Sequence, residues 1–287
     1  RSELGFRGRG AQPSRGHPRF LIHPTVGVAE VRASDQESTF DSEATPAGGA
    51  STSGASAVVD ASAVASSAEP LVVAEEASRR VLGAGFDGAV EFGDLLRKHG
   101  EERGLIGPRE IDRLWTRHIV NSAAVAPYLP ASGAVAGVGS GAGLPGMVLA
   151  AMRPGLEFHL IEPMERRVEW LKLVATTLSL SNVVLHQKQT QELHGKLEVA
   201  AVTARAVAAL DKLARWTWPL VSRGGALVAM KGARAQDELN AAQPVLKKLA
   251  GAGLGRVHEI DLLGDGDVTR DVEMRRSGPH LARRCFT

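Results

Sequence analysis

Cysteine is nearly missing from this 287-residue chain, which has one, Cys285, three residues from its end. A single thiol there excludes a disulfide framework, a cysteine-rich zinc site and an internal cysteine nucleophile. Tyrosine is equally scarce. Tyr128 stands alone with Ser132 four residues on, so a Tyr-x-x-x-Lys pair is excluded as well. No apolar run approaches the roughly 18 residues a membrane helix needs. The opening stretch Arg1 to Gly10 is polar and rich in glycine and arginine, without the apolar core of a signal peptide. Position 1 is Arg, as expected of a fragment or of a chain read from upstream of its true start. Scarce cysteine and no apolar segment together predict a soluble cytoplasmic protein.

What is present is unevenly distributed. Hydrophobic residues make up 44 % and charged residues 23 %, the ordinary globular balance. Residues 1–70 hold six Arg, no Lys and eight Asp or Glu; subtracting these from the chain totals of 34 and 32 leaves 28 basic and 24 acidic residues, a balance of +4 over 71–287. Within 51–68, fourteen of eighteen positions are Ser, Ala, Thr or Gly, too little apolar surface to offset ordering entropy. Residues 1–70 are therefore expected to be a disordered tail, and 277–287 a basic C-terminal tail. The part between divides into a helical element over 71–130 and an α/β domain over 131–276.

The helical element is read from apolar stripes. Val72, Ala74, Ala77, Val81 and Leu82 form one stripe, closed by Gly83 and Gly85, and a second helix spans about 89–98. A third begins at Pro108 with Ile111, Leu114, Trp115, His118 and Ile119 on one face, and helix continues from Asn121 to Tyr128. Then the period changes. Short apolar runs at 134–138, 158–161, 183–186, 199–203 and 226–230 alternate with helical segments, the longest at 166–180, which predicts a mostly parallel sheet. The last runs, near 256–262 and 268–274, have only a turn between them, so an antiparallel strand is expected at that edge. A plain dinucleotide-binding fold has none.

Between the first strand and its helix lies Gly139-Ser140-Gly141-Ala142-Gly143-Leu144-Pro145-Gly146. Glycines there allow close approach of a ligand to the backbone, and a following helix N-terminus favours negative charge. Read from Gly141 the loop is G-x-G-x-x-G, the dinucleotide fingerprint; read from Gly139 it is G-x-G-x-G, the pattern of S-adenosylmethionine-dependent methyltransferases. Glu162, at the end of the second strand, is placed to accept hydrogen bonds from two ribose hydroxyls. Both cofactors carry that ribose, so Glu162 does not separate them. The antiparallel edge favours the methyltransferase.

Several segments then form an ordered set: Arg117-His118-Ile119-Val120-Asn121-Ser122, the loop 139–146, Glu162-Pro163, Ala204-Arg205-Ala206-Val207-Ala208 and Met230-Lys231-Gly232. On these, residues 90–272 resemble the bacterial 16S ribosomal RNA small subunit methyltransferase G family, also called glucose-inhibited division protein B. The resemblance implies a Rossmann-like methyltransferase fold. It also implies S-adenosyl-L-methionine as cofactor, and methyl transfer to N7 of one guanine in the 530 loop of 16S rRNA (position 527 in standard rRNA numbering). The implied partner is 16S rRNA or the small ribosomal subunit, met by a monomer without metal. The implied cofactor contacts are Gly139, Ser140, Gly141, Gly143, Leu144, Glu162, Thr190, Gln191 and Arg205. Arg117, His118, Arg205 and Lys231 are candidates to face the RNA, as are the pairs Arg166-Arg167 and Arg275-Arg276. No catalytic base is implied, because N7 has a free lone pair. The rest of the chain agrees: methylation of cytosine C5 needs a cysteine nucleophile. Methylation of an exocyclic amine usually goes with an Asn/Asp-Pro-Pro-aromatic turn where this chain has Thr203-Ala204-Arg205.

Three positions depart from the family pattern. Gly137 replaces an aspartate two residues before the first loop glycine, and Gln189 and Gln191 replace an arginine and a carboxylate after the third strand. Arg270 and Asp271 stand in a last strand expected to be apolar. These departures raise an alternative, a cofactor-impaired RNA-binding copy of the fold; an NAD-dependent oxidoreductase is the more distant one.

Overall fold

The computed structural model describes residues 71–249 and 255–277. The tails expected over 1–70 and 277–287 lie outside the described residues, apart from Ser277. Helix α1 (Leu71–Leu82) and helix α2 (Phe86–His99) are joined by a 3-10 turn at Gly83–Gly85. The single helix expected from Pro108 is instead three short pieces. A 3-10 turn at Pro108–Glu110 leads to a π-helix at Leu114–Ile119 and a 3-10 stretch at Val120–Tyr128. Packing overrides periodicity here. Trp115 must reach both Ser78, to which its indole N–H donates at 3.0 Å, and Phe86, whose ring lies 5.8 Å away edge-on. A wider π turn rotates the following carbonyls away from regular helical partners, a feature concentrated at functional sites.

Seven strands follow: β1 (Gly133–Val138), β2 (Leu156–Ile161), β3 (Val183–His186), β4 (Val199–Arg205), β5 (Val221–Met230), β6 (Arg256–Asp261) and β7 (Val268–Arg275). Their spatial order is β3-β2-β1-β4-β5-β7-β6. The pairs from β3 through β5 are parallel, and β7 inserts antiparallel between β5 and β6. The antiparallel pairing expected from the tail of the sequence is thus present. Helices α3 (Gly146–Met152) and α4 (Glu165–Thr177) join the N-terminal helices on one face, around Phe92, Leu114, Phe158 and Trp170. Helices α5 (Leu210–Thr217) and α6 (Ala235–Leu246) cover the other, around Leu213, Leu227 and Leu239. Helix α4 stops three residues short of the expected end, with Ser179 at φ +53° turning the chain into β3.

Strand alternation decides where the polar residues point. In β4, Val202 and Ala204 belong to the α5–α6 face, so Thr203 and Arg205 face the N-terminal helices. In β7, Val272 and Met274 fill the α5–α6 face, and Asp271 therefore faces Met230's side of the sheet. Asp271 is completely buried, and neither carboxylate oxygen has a hydrogen-bond partner. Burial pushes its carboxyl up to about 7, against the opposing pull of Arg205.

The sign of the resulting pH dependence follows. The folded state holds a proton on Asp271 that the unfolded chain, at 3.8, has released, so stability falls as pH rises from about 4 through about 7. The full span corresponds to ~4 kcal/mol as an upper bound. We expect Asp271→Asn to remove this decline. Urea unfolding of both proteins at pH 5, 7 and 9 checks it; equal slopes against pH would contradict the assignment.

Candidate active site

In open α/β sheets, ligands bind beyond the carboxyl ends of the strands where the strand order reverses. Here that point lies between β1 and β4, and the loop after β1 lines it. Gly139 has φ +63° and Gly141 φ +51°, a region closed to most side chains. A Cβ at Gly139 would lie 2.7 Å from a methyl of Val207, which the strained Ala206 (φ +54°) turns over the loop. We expect Gly139→Val to destabilise the protein by ~2–4 kcal/mol through strain and overlap, read as a fall in urea midpoint, and to abolish ligand binding.

Glu162 is 2 % exposed at the end of β2. One carboxylate oxygen accepts the N–H of Gly141 at 2.9 Å, and the other the N–H of Met164 at 3.1 Å. Arg167 approaches the first at 3.8 Å. Glu162 therefore ties the glycine loop to the start of α4. Ser140 ties the loop to β1, its hydroxyl donating to the carbonyl of Gly137 at 2.9 Å. Gly137 itself is filled from beside: a Cβ there would meet a methyl of Leu160 at 2.9 Å. The loop is thus held by Ser140 and Glu162 without an acid at 137. The turn after β3 is likewise self-contained, since Gln189 and Glu192 form a reciprocal capping box, with the Gln189 N–H donating to Glu192 at 2.7 Å.

Two cavities flank the loop. One of ≈ 360 Å³ is lined by Gly139, Glu162, Arg167, Thr190, Gln191 and Trp216 among others. The second, ≈ 310 Å³, is lined by Gly139, Ser140, Gly141, Leu144, Glu110, His118, Arg167 and Arg205, with Leu105 to Gly107 closing it. Gly139, Arg167 and Ala206 belong to both. A third, more basic hollow of ≈ 580 Å³ shares Arg205 and is lined by Arg117, Asn121, Lys231 and Arg234.

Arg205 stands between the second and third cavities. Its guanidinium donates to the carbonyl of Arg117 at 3.2 Å, to that of His118 at 3.4 Å and to Nδ1 of His118 at 2.6 Å. His118 Nε2 in turn lies 2.8 Å from Glu110. Burial, then the charge of Arg205, holds the imidazole below its ordinary range, with the Glu110 hydrogen bond opposing. That hydrogen bond is also the main reason Glu110 sits below the usual carboxylate range.

The structure brings most of the expected residues together around the two loop cavities and places others apart from them. Gly143 lines neither loop cavity: it packs at the back, where a Cβ would meet Met147 at 2.9 Å and Phe92 at 3.0 Å. The helix N-terminus expected behind the loop also stays clear, since no residue of α3 lines either cavity. Lys231 borders the basic hollow, but its side chain is 8 % exposed and its ammonium is held by Glu238 at 2.8 Å and by the carbonyl of Ala208. A tethered ion is a poor phosphate contact. His118 has both ring nitrogens engaged within the protein and lines the loop cavity rather than the basic hollow. Arg275 pairs with Glu273 at 2.6 Å, and Arg276 donates to the carbonyl of Val221. Of Arg166-Arg167, named as candidates to face the RNA, Arg167 lines both loop cavities. Sequence reading missed Glu110 and Trp216. Glu110 is eight residues from His118 across a break in the helix, a spacing no regular period marks.

A β3-β2-β1-β4-β5-β7-β6 sheet, with a glycine loop after β1 and a buried carboxylate ending β2, defines an S-adenosylmethionine-dependent methyltransferase. The model of the GidB family, rRNA small subunit methyltransferase G, matches residues 87–254. The chain belongs to this family. Ribosomal RNA small subunit methyltransferase G of Beutenbergia cavernae is 66 % identical over 210 residues, covering 73 % of this chain and 99 % of that protein. The protein of the same name from Clavibacter michiganensis subsp. michiganensis is 44 % identical over 212 residues, covering 72 % and 98 %. Among solved structures, a precorrin-6y C5,15-methyltransferase from Geobacter metallireducens superposes with a TM-score of 0.43 at 13 % identity, covering 60 % of this chain and 91 % of that one.

Proposed function

We propose that this chain methylates N7 of a guanine in the 530 loop of 16S rRNA, acting as a cytoplasmic monomer on the rRNA or the small subunit. The observation that carries the reading is Arg205, a fixed cation shared by the glycine-loop cavity and the basic hollow. A cofactor on one side and a polyanion on the other would meet there. Among the described residues no helix is long and apolar enough to cross a membrane.

The residues fit the cofactor. The Gly139 backbone in the cavity wall and the buried Glu162 carboxylate suit an adenosine in the larger loop cavity, beside Thr190, Gln191 and Trp216. Arg167 and Arg205 would meet the methionine carboxylate in the smaller one. When bound, S-adenosylmethionine supplies an activated methyl group on a sulfonium sulfur. Guanine N7 has a lone pair and no proton, so the chain's residues have no proton to remove. Their work is alignment of the base and exclusion of water, both of which lower the barrier to displacement. Arg117 and Arg234, at the rim of the basic hollow, would follow RNA phosphates.

The test is incubation with S-adenosylmethionine and small subunits, or naked 16S rRNA, from a strain lacking this modification. Borohydride–aniline cleavage then maps N7-methylguanosine. New cleavage at one guanine of the 530 loop is expected; none on either substrate overturns the reading.

A further inference from the structure

We propose that Glu110 and His118 are a positioning pair that orients the Arg205 guanidinium between the two cavities; the inference rests on the functional reading above. Three observations lead to it. A guanidinium has donors only, so the ring nitrogen 2.6 Å from Arg205 must present its lone pair. His118 is therefore neutral with its proton on Nε2, and that N–H donates to the Glu110 carboxylate at 2.8 Å. The direction runs one way, from Arg205 to imidazole to carboxylate. Second, the π turn at Leu114–Ile119 presents the carbonyls of Arg117 and His118 to the same guanidinium, so one short segment supplies all three acceptors. Third, the imidazole is 16 % exposed and faces the loop cavity, where it touches the cation rather than the solvent.

A proton on Nδ1 would abolish the acceptor and set two cations against each other. The charged groups around the pair are Arg117 and Arg113 beside Glu110, Arg205 itself with Asp271 behind it, and Arg167 across the cavity. Burial first, and then the charge of Arg205, keeps the imidazole neutral against the pull of Glu110. Methyl transfer should then show an acid limb, falling as pH drops through the His118 pKa, below 6.5. Arg205 is the group that acts; Glu110 and His118 act through it.

Glutamine at 118 also presents one acceptor and one donor in a planar group, but does not titrate. We expect H118Q to retain activity within ~10-fold and to lose the acid limb of kcat/KM, while H118L loses activity at every pH. Thermal melts of both variants separate loss of fold from loss of orientation. A readout independent of activity is the nitrogen NMR spectrum of the histidine-labelled, ligand-free protein, with the His118 signal assigned by its absence in H118Q. An Nε2–H tautomer, persisting below pH 6.5, supports the pair. An Nδ1–H tautomer, ordinary titration, an acid limb unchanged in H118Q, or full activity in H118L overturns it. Should the wild-type protein methylate no guanine, the functional reading fails while the NMR result still decides the pair.

Discussion

Replacing Glu162 with alanine is expected to lower affinity for S-adenosylmethionine by ~100-fold or more. Its carboxylate accepts the N–H groups of Gly141 and Met164 from a position that is 2 % exposed. Truncation leaves both donors without their partner, at ~1–3 kcal/mol each. The glycine loop then loses its tie to α4, and Arg167 loses the charge it approaches. Two effects add: stability falls, and the loop pays ordering entropy on binding that the wild-type protein has already met. Glu162→Gln is milder, since its amide accepts from one N–H but turns a donor toward the other. Isothermal titration of the three proteins, with urea unfolding alongside, should rank affinity wild type, Gln, Ala. Unchanged affinity in Glu162→Ala would show that the loop is organised by Ser140 alone.

The sheet was legible because strand alternation and the loop-to-strand spacing are local signals. Runs such as 199–203 are largely apolar over the length of a strand, and the glycine loop marks the first crossover. Glu162 and Arg205 were legible for a related reason: in a parallel sheet, residues at strand ends converge on one edge, so chain order alone brings them together. What stayed hidden depends on breaks in regularity. The helix expected from Pro108 is divided by the π turn; Leu114 and Ile119 are buried with Ile111 and Trp115 packed beside them, as the expected face requires, but the break made Glu110 invisible as a partner of His118. Lys231 has the composition of a phosphate contact. Only the packing of α6 against the end of β5 shows that Glu238 holds it, and Glu238 also accepts the Leu210 N–H at 3.0 Å. Gly137, suspicious as a missing acid, is explained by a leucine from the neighbouring strand, a contact no sequence spacing marks.

Arg205→Lys should separate activity from stability more cleanly than any other substitution in the site. Lysine keeps the charge but replaces a rigid five-donor fork with a single ammonium, which cannot span the Arg117 carbonyl, the His118 carbonyl and the imidazole together. The carbonyls it abandons do not become orphans. Asn121 donates to that of Arg117 at 3.3 Å, and Ser122 to that of His118 at 2.7 Å. Folding stability should therefore change by only ~1 kcal/mol. Activity has no such reserve, because orientation of the cation is the property lost; kcat/KM should fall by ~100-fold or more, in the range found when one preorganised donor is removed. Arg205→Ala goes further. It also removes the charge that holds the buried Asp271 carboxyl down, so that group should titrate still higher than about 7. Methyl-transfer kinetics with urea midpoints at pH 7 test both variants. A lysine variant within threefold of wild-type kcat/KM would mean that charge alone suffices and that orientation of the guanidinium carries no weight. A variant that loses several kcal/mol of stability would instead assign Arg205 to the scaffold.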